Sequence, residues 1–175
     1  MGVVADTDAD PGSQSAAAAQ ELFMRAALTM AERGLAAGGP PVGACLVRDG
    51  QIVSRNHNAV VGELDITAHA EIVVIRDACR ALRSLQLEDC VLYVTVEPCP
   101  MCLAACHYAG IGRIVCGAPI AAMQAITGSE LLVSPDALFA AQAGKPLITH
   151  GVLAQESQAL LDKWRVAQGA QQDGR

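Results

Sequence analysis

Residues 67–102 read TAHAEIVVIRDACRALRSLQLEDCVLYVTVEPCPMC, and this stretch decides the architecture. It opens on Thr67-Ala68-His69-Ala70-Glu71 and passes through a helical pattern at 68–83. A continuous apolar run follows at 91–96, and the stretch closes on Glu97-Pro98-Cys99-Pro100-Met101-Cys102. The apolar run has the length and β-branched content of a buried strand. Pro100 suits a first helical position, where its missing N–H and fixed φ cost nothing, so a second helix starts there and ends near Gly110. A strand that is apolar throughout and flanked by helices belongs to a layered α/β fold.

The same reading extends in both directions. Toward the N-terminus, residues 42–47 and 52–55 flank Arg48-Asp49-Gly50-Gln51, and Asp-Gly between apolar runs signals a hairpin. A helix is predicted at 18–37, ending at Gly38-Gly39-Pro40-Pro41, and a loop from Asn56-His57-Asn58 through Gly62. Toward the C-terminus, 113–116 and 146–149 are short strands and 153–168 a closing helix. The order predicts a three-layer α/β/α sandwich around a mixed five-stranded sheet. Residues 16–168 form one domain, after an irregular acidic tail at 1–15 and before a flexible end at 169–175.

The two polar clusters carry the chemistry. Zinc takes imidazole nitrogen and thiolate sulfur in tetrahedral geometry, and a catalytic zinc keeps its fourth position for water. His69, Cys99 and Cys102 supply three such ligands for one zinc per chain. Cys99 falls at the start of its helix and Cys102 in the first turn, so both sulfurs can face one point. His69 and Glu71 would diverge by about 200° inside a helix, so both must sit where their helix begins. By itself the Cys-x-x-Cys pair also fits a redox dithiol. A structural zinc would need a fourth protein ligand, and Cys106 and His107 lie a turn too far along to serve.

Composition narrows the partners. The chain has 175 residues, 12 Lys+Arg against 18 Asp+Glu, and a formal charge of −6. Lysine occurs only at Lys145 and Lys163, and the closing segment balances Lys163, Arg165 and Arg175 against Glu156, Asp162 and Asp173. Nucleic-acid binders carry a basic face, so no nucleic-acid partner is expected. Aromatics make up 3% of the chain, leaving few platforms on which unpaired bases could stack. No apolar run is long enough to span a bilayer, and the N-terminus lacks the basic-then-apolar pattern of a secretory signal. The expected location is the cytoplasm, where the seven cysteines stay reduced. Five of them (Cys45, Cys79, Cys90, Cys106 and Cys116) sit in apolar stretches as core filler.

Together, His69-x-Glu71 and Pro98-Cys99-x-x-Cys102 form the H-x-E … P-C-x-x-C pattern of zinc deaminases. TAHAEIVVIR and YVTVEPCPMC resemble the cytidine deaminase superfamily, and within it the guanine, cytosine and tRNA adenosine deaminase group. The resemblance covers roughly residues 20–165. It implies that Glu71 shuttles protons without ligating the metal, that Asn58 hydrogen-bonds the substrate ring, and that the Ala70 backbone N–H contacts substrate. It also places an acidic substrate-handling residue at Glu130 and an aromatic, Trp164, near the pocket, and it implies a homodimer with a C-terminal segment that some relatives exchange. Residues 72–90 look closest to guanine deaminases, whereas Ile148-Thr149-His150-Gly151 and Arg113-Ile114-Val115 look like tRNA adenosine deaminases. With the basic closing helix missing, the expected activity is hydrolytic deamination of a free nucleobase, guanine to xanthine. Cytosine or a related aminated ring comes next, then tRNA adenosine, and outside enzymes an inactive zinc-binding homologue.

Overall fold

The computed structural model describes residues 11–142 and 144–172. Five strands form one sheet: β1 (Gly43–Arg48), β2 (Gln51–His57), β3 (Cys90–Val96), β4 (Arg113–Ala118) and β5 (Leu147–Thr149). Their spatial order is β2-β1-β3-β4-β5. β1 pairs antiparallel with β2 and β3, while β3–β4 and β4–β5 are parallel. The sheet is therefore mixed, as predicted. The hairpin turn also falls where expected, with Asp49 and Gly50 both at positive φ (51° and 72°), the backbone that an Asp-Gly hairpin adopts.

Helices cover both faces. The long ones are α1 (Pro11–Ala36), α3 (Ala70–Leu82), α4 (Pro100–Tyr108) and α7 (Ala154–Gln172); α2 (Val60–Glu63), α5 (Ile120–Thr127) and α6 (Pro135–Leu138) are shorter. Alternate strand residues feed two cores. Leu46, Leu92, Val94 and Ile114 pack with Val74 and Ala78 of α3 and Leu103 of α4. Cys45, Val47, Tyr93 and Val115 pack with Met24, Ala27 and Leu28 of α1. α7 lies beside α1, giving Leu160 to that second core while Leu161 and Trp164 turn into the first. Burying each such aliphatic side chain contributes roughly 1.5–3 kcal/mol. α1 approaches β1 so closely that a Cβ at Gly43 would lie 2.1 Å from the Ala27 carbonyl oxygen, and only glycine fits there.

The structure departs from the sequence reading at several element ends, β2 running on to His57 among them, and places the short helices α2, α5 and α6 where none was expected. α1 begins at Pro11, because proline is well placed at a first helical position and the following alanines propagate the helix. The expected irregular tail otherwise falls on residues 1–10, outside the described residues. α7 continues to Gln172, past the expected end at 168. α5 was not anticipated: its N-cap is Pro119, with no side-chain cap, and Gly128 ends it at φ 68°.

Candidate functional site

The metal-ligating trio is built by two helix starts. His69 is the N-cap of α3 (φ −64°, ψ 153°) and Cys99 the N-cap of α4 (φ −69°, ψ 167°), with Pro100 as first helical residue. Extended N-cap backbone lets each side chain leave its helix end, and so His69 and Glu71 share one site despite their spacing. Asp65 steadies the approach to His69. Its Oδ1 accepts the Thr67 N–H at 2.8 Å and the Thr67 hydroxyl at 2.6 Å, and Arg76 reaches Asp65 Oδ2 at 3.5 Å and Thr67 Oγ1 at 3.1 Å.

The donor atoms sit at metal-binding spacing. His69 Nδ1 lies 3.8 Å from Cys99 Sγ and 3.6 Å from Cys102 Sγ, and the two sulfurs are 3.7 Å apart. Tetrahedral zinc with Zn–S of about 2.3 Å and Zn–N of about 2.0 Å separates two sulfurs by about 3.8 Å and sulfur from nitrogen by about 3.5 Å. The residues present fit the ion. It is the one such group of three donors among the described residues. The Cys99 thiol is pushed down to about 4, first by the hydrogen bond from the Cys102 thiol and then by His69. Cys99 is thus readily a thiolate, the form a metal takes. His69 is itself raised, chiefly by its hydrogen bond to Cys99.

Glu71, in the first turn of α3, is 3% exposed, and its Oε2 has no hydrogen-bond partner among the described residues. Loss of solvation pushes its carboxyl up to about 7, against the opposing pull of His69. A cation at the trio would draw it down again. A carboxyl with one oxygen uncommitted beside a metal site can both accept and release a proton near neutral pH.

These groups open on a cavity of about 170 Å³ that Asn58, His69, Glu71, Cys99, Glu130 and Trp164 all line. Asn58 is 8% exposed; its Oδ1 accepts the Val60 N–H at 3.2 Å, and its amide nitrogen has no protein partner among the described residues. Ala70 is fully buried in the core and does not line the cavity through its side chain. Its backbone N–H belongs to the first turn of α3, where helix donors lack intrahelical partners. Glu130 is half-buried just beyond α5, with Oε1 accepting the Thr127 hydroxyl at 3.1 Å. Trp164 is 8% exposed and packs in the same core as Met123 and Phe139.

Sequence reasoning gave no role to Glu97, Ile120, Met123 or Thr127, which also line the cavity. Glu97 lies inside the second sequence motif, while the other three lie on α5. The lining residues include three carboxylates (Glu71, Glu97 and Glu130) and no lysine or arginine. Cys106 and His107 lie further along α4 and are not part of the metal group. No described helix is long and apolar enough to cross a membrane.

A model of the cytidine and deoxycytidylate deaminase zinc-binding region matches residues 17–118. Guanine deaminase of Bacillus subtilis (strain 168) is 49% identical over 90 residues, 51% of this chain and 58% of that protein. A tRNA-specific adenosine deaminase of Aquifex aeolicus (strain VF5) is 45% identical over 96 residues, 55% of this chain and 64% of that protein. Both matches span less than two thirds of the relative's length. A solved structure in complex with 2,6-diaminopurine is 27% identical, with a TM-score of 0.75, covering 84% of this chain and 82% of its own.

Proposed function

The chain belongs to the cytidine and deoxycytidylate deaminase family, and on that premise we propose that it hydrolytically deaminates a free nucleobase, with guanine, converted to xanthine, the preferred substrate. The observation that carries the substrate class is the cavity lining. A half-open cavity of about 170 Å³ with three carboxylates and no lysine or arginine suits one uncharged ring system and disfavours a phosphate. Cavities of roughly 150 Å³ already accept a benzene ring.

His69, Cys99 and Cys102 would hold the ion, and a zinc there would supply a Lewis acid that brings the pKa of water toward neutrality. Glu71 takes a proton from the attacking water and delivers it to a ring nitrogen. It then helps protonate the departing amino group, so the balance is ring C–NH2 plus water to ring C=O plus ammonia. The Asn58 amide and the Ala70 N–H hold the ring edge, Trp164 covers a ring face, and Glu130 accepts hydrogen bonds from ring or exocyclic N–H groups.

The tRNA reading has its own support in the Aquifex relative. Against it stands the described part of α7, where Lys163 and Arg165 are balanced by Glu156 and Asp162, and Arg165 is already paired with Asp162 at 3.5 Å. Phosphate recognition needs uncommitted cations. Ammonia release from guanine, cytosine, adenine, their nucleosides and an anticodon stem-loop RNA, with the zinc-loaded full chain, decides the matter. Guanine turnover is the expected result, and turnover of the RNA alone would overturn the proposal.

A further inference from the structure

Glu97 has no assigned duty, yet it joins the metal loop to the far side of the cavity. It follows β3, precedes Cys99 by two residues and lines the cavity with a side chain 17% exposed. Its backbone N–H donates to the Ala118 carbonyl at 2.8 Å, tying it to the end of β4. Its Oε2 accepts the backbone N–H of Ile120 at 3.2 Å, and Oε1 lies 3.9 Å from His150 Nδ1 beyond β5.

Ile120 is the first residue of α5, and the N-cap of that helix is Pro119, which offers no side-chain acceptor. A helix start needs acceptors for its free N–H groups and favours a negative charge. Glu97 meets both needs from another element. α5 carries Ile120, Met123 and Thr127 into the cavity, and Thr127 in turn holds Glu130. We propose that Glu97 is a positioning residue that sets the distance between the metal centre and the α5 wall, and so fixes how the substrate ring is held. The inference rests on the deaminase reading for its kinetic consequence, although not for its structural one.

The test uses the zinc-loaded full chain with Glu97→Ala and Glu97→Gln. The glutamine keeps an oxygen that can accept the Ile120 N–H. For Glu97→Ala the expected outcome is zinc still at one per chain, KM for the base raised by about tenfold or more, and kcat changed by less than about threefold. Amide hydrogen exchange across residues 120–124 should accelerate in the same variant. Glu97→Gln should stay within about threefold of the wild-type KM and restore the slow exchange. Unchanged KM with unchanged α5 exchange in Glu97→Ala overturns the proposal. So does loss of zinc, which would place Glu97 in service of the metal loop, and so does a fall confined to kcat. If the wild-type chain turns over no free base, the substrate reading fails, and the exchange pattern alone still decides the role of Glu97.

Discussion

The cavity has a floor and a wall, and they are made differently. The floor is the start of α3 and the start of α4, where the donor atoms of His69, Cys99 and Cys102 lie 3.6–3.8 Å apart and Glu71 stands in the first turn of α3. The wall is α5, the segment after it and α7, which contribute Met123, Thr127, Glu130 and Trp164. Floor residues are tied to rigid helix ends above the main core. On the wall, Met123 and Trp164 are anchored in the main core, whereas Thr127 and Glu130 stand at and just beyond the end of a short helix with no side-chain N-cap. The difference suggests a division of labour: the floor determines which bond is broken, and the wall determines which ring is presented.

Changes to the floor should be the most damaging. Cys99→Ser should remove the ion and lower deamination by on the order of 10⁴-fold or more, read by metal analysis beside ammonia release. Zinc retained at full stoichiometry would break the assignment of the trio. Glu71→Gln should keep the ion and lose about 10²–10⁴ in kcat. A rise in KM with kcat unchanged would move Glu71 from the floor's chemistry to binding.

On the wall, Trp164→Ala should cost about 3–5 kcal/mol of stability by analogy with other buried aromatic truncations and raise KM, with zinc content unchanged. Thermal unfolding and metal analysis of the same sample check both halves. Zinc loss in that variant would mean that floor and wall are one cooperative unit.

The smallest effect concerns Asp65, behind the floor. Hydrogen bonds from Thr67, and to a lesser degree Arg76, hold its carboxyl below the usual 3.8. The unfolded chain therefore binds this proton more readily than the folded one. The stabilisation is complete above the unfolded pKa and is lost as pH falls through the folded one. Asp65→Asn should lower Tm by a few degrees at most at pH 7, and the gap from wild type should close toward acid. A gap that persists unchanged below pH 3 would sink this account.

The floor was legible from residues alone because its chemistry imposes a spacing. A histidine and a glutamate two apart, with two cysteines three apart beside a proline, can converge only at helix starts. The five strands were legible because the Asp-Gly turn and the apolar runs are local signals. The wall was not. α5 lacks a polar N-cap, and its I-A-A-M-Q-A-I-T run has no strong amphipathic face. Glu130 and Trp164 were reached only by resemblance, since tertiary packing alone brings them to the cavity. Glu97 stands inside the second motif with no role legible there, because its partner, the Ile120 N–H, is a backbone group that no side-chain pattern announces.

The ligand set has a consequence for the chain as a whole. One ion held by residue 69 and by residues 99 and 102 closes a ring of about 30 residues whose closure in the unfolded chain would cost entropy. An ion that binds only the folded form shifts the folding equilibrium by mass action, by about 1.4 kcal/mol for each tenfold rise in free metal above its dissociation constant. With a zinc bound at that trio, the amount of folded protein would follow zinc supply as well as sequence, and the cofactor would act as a thermodynamic governor of abundance.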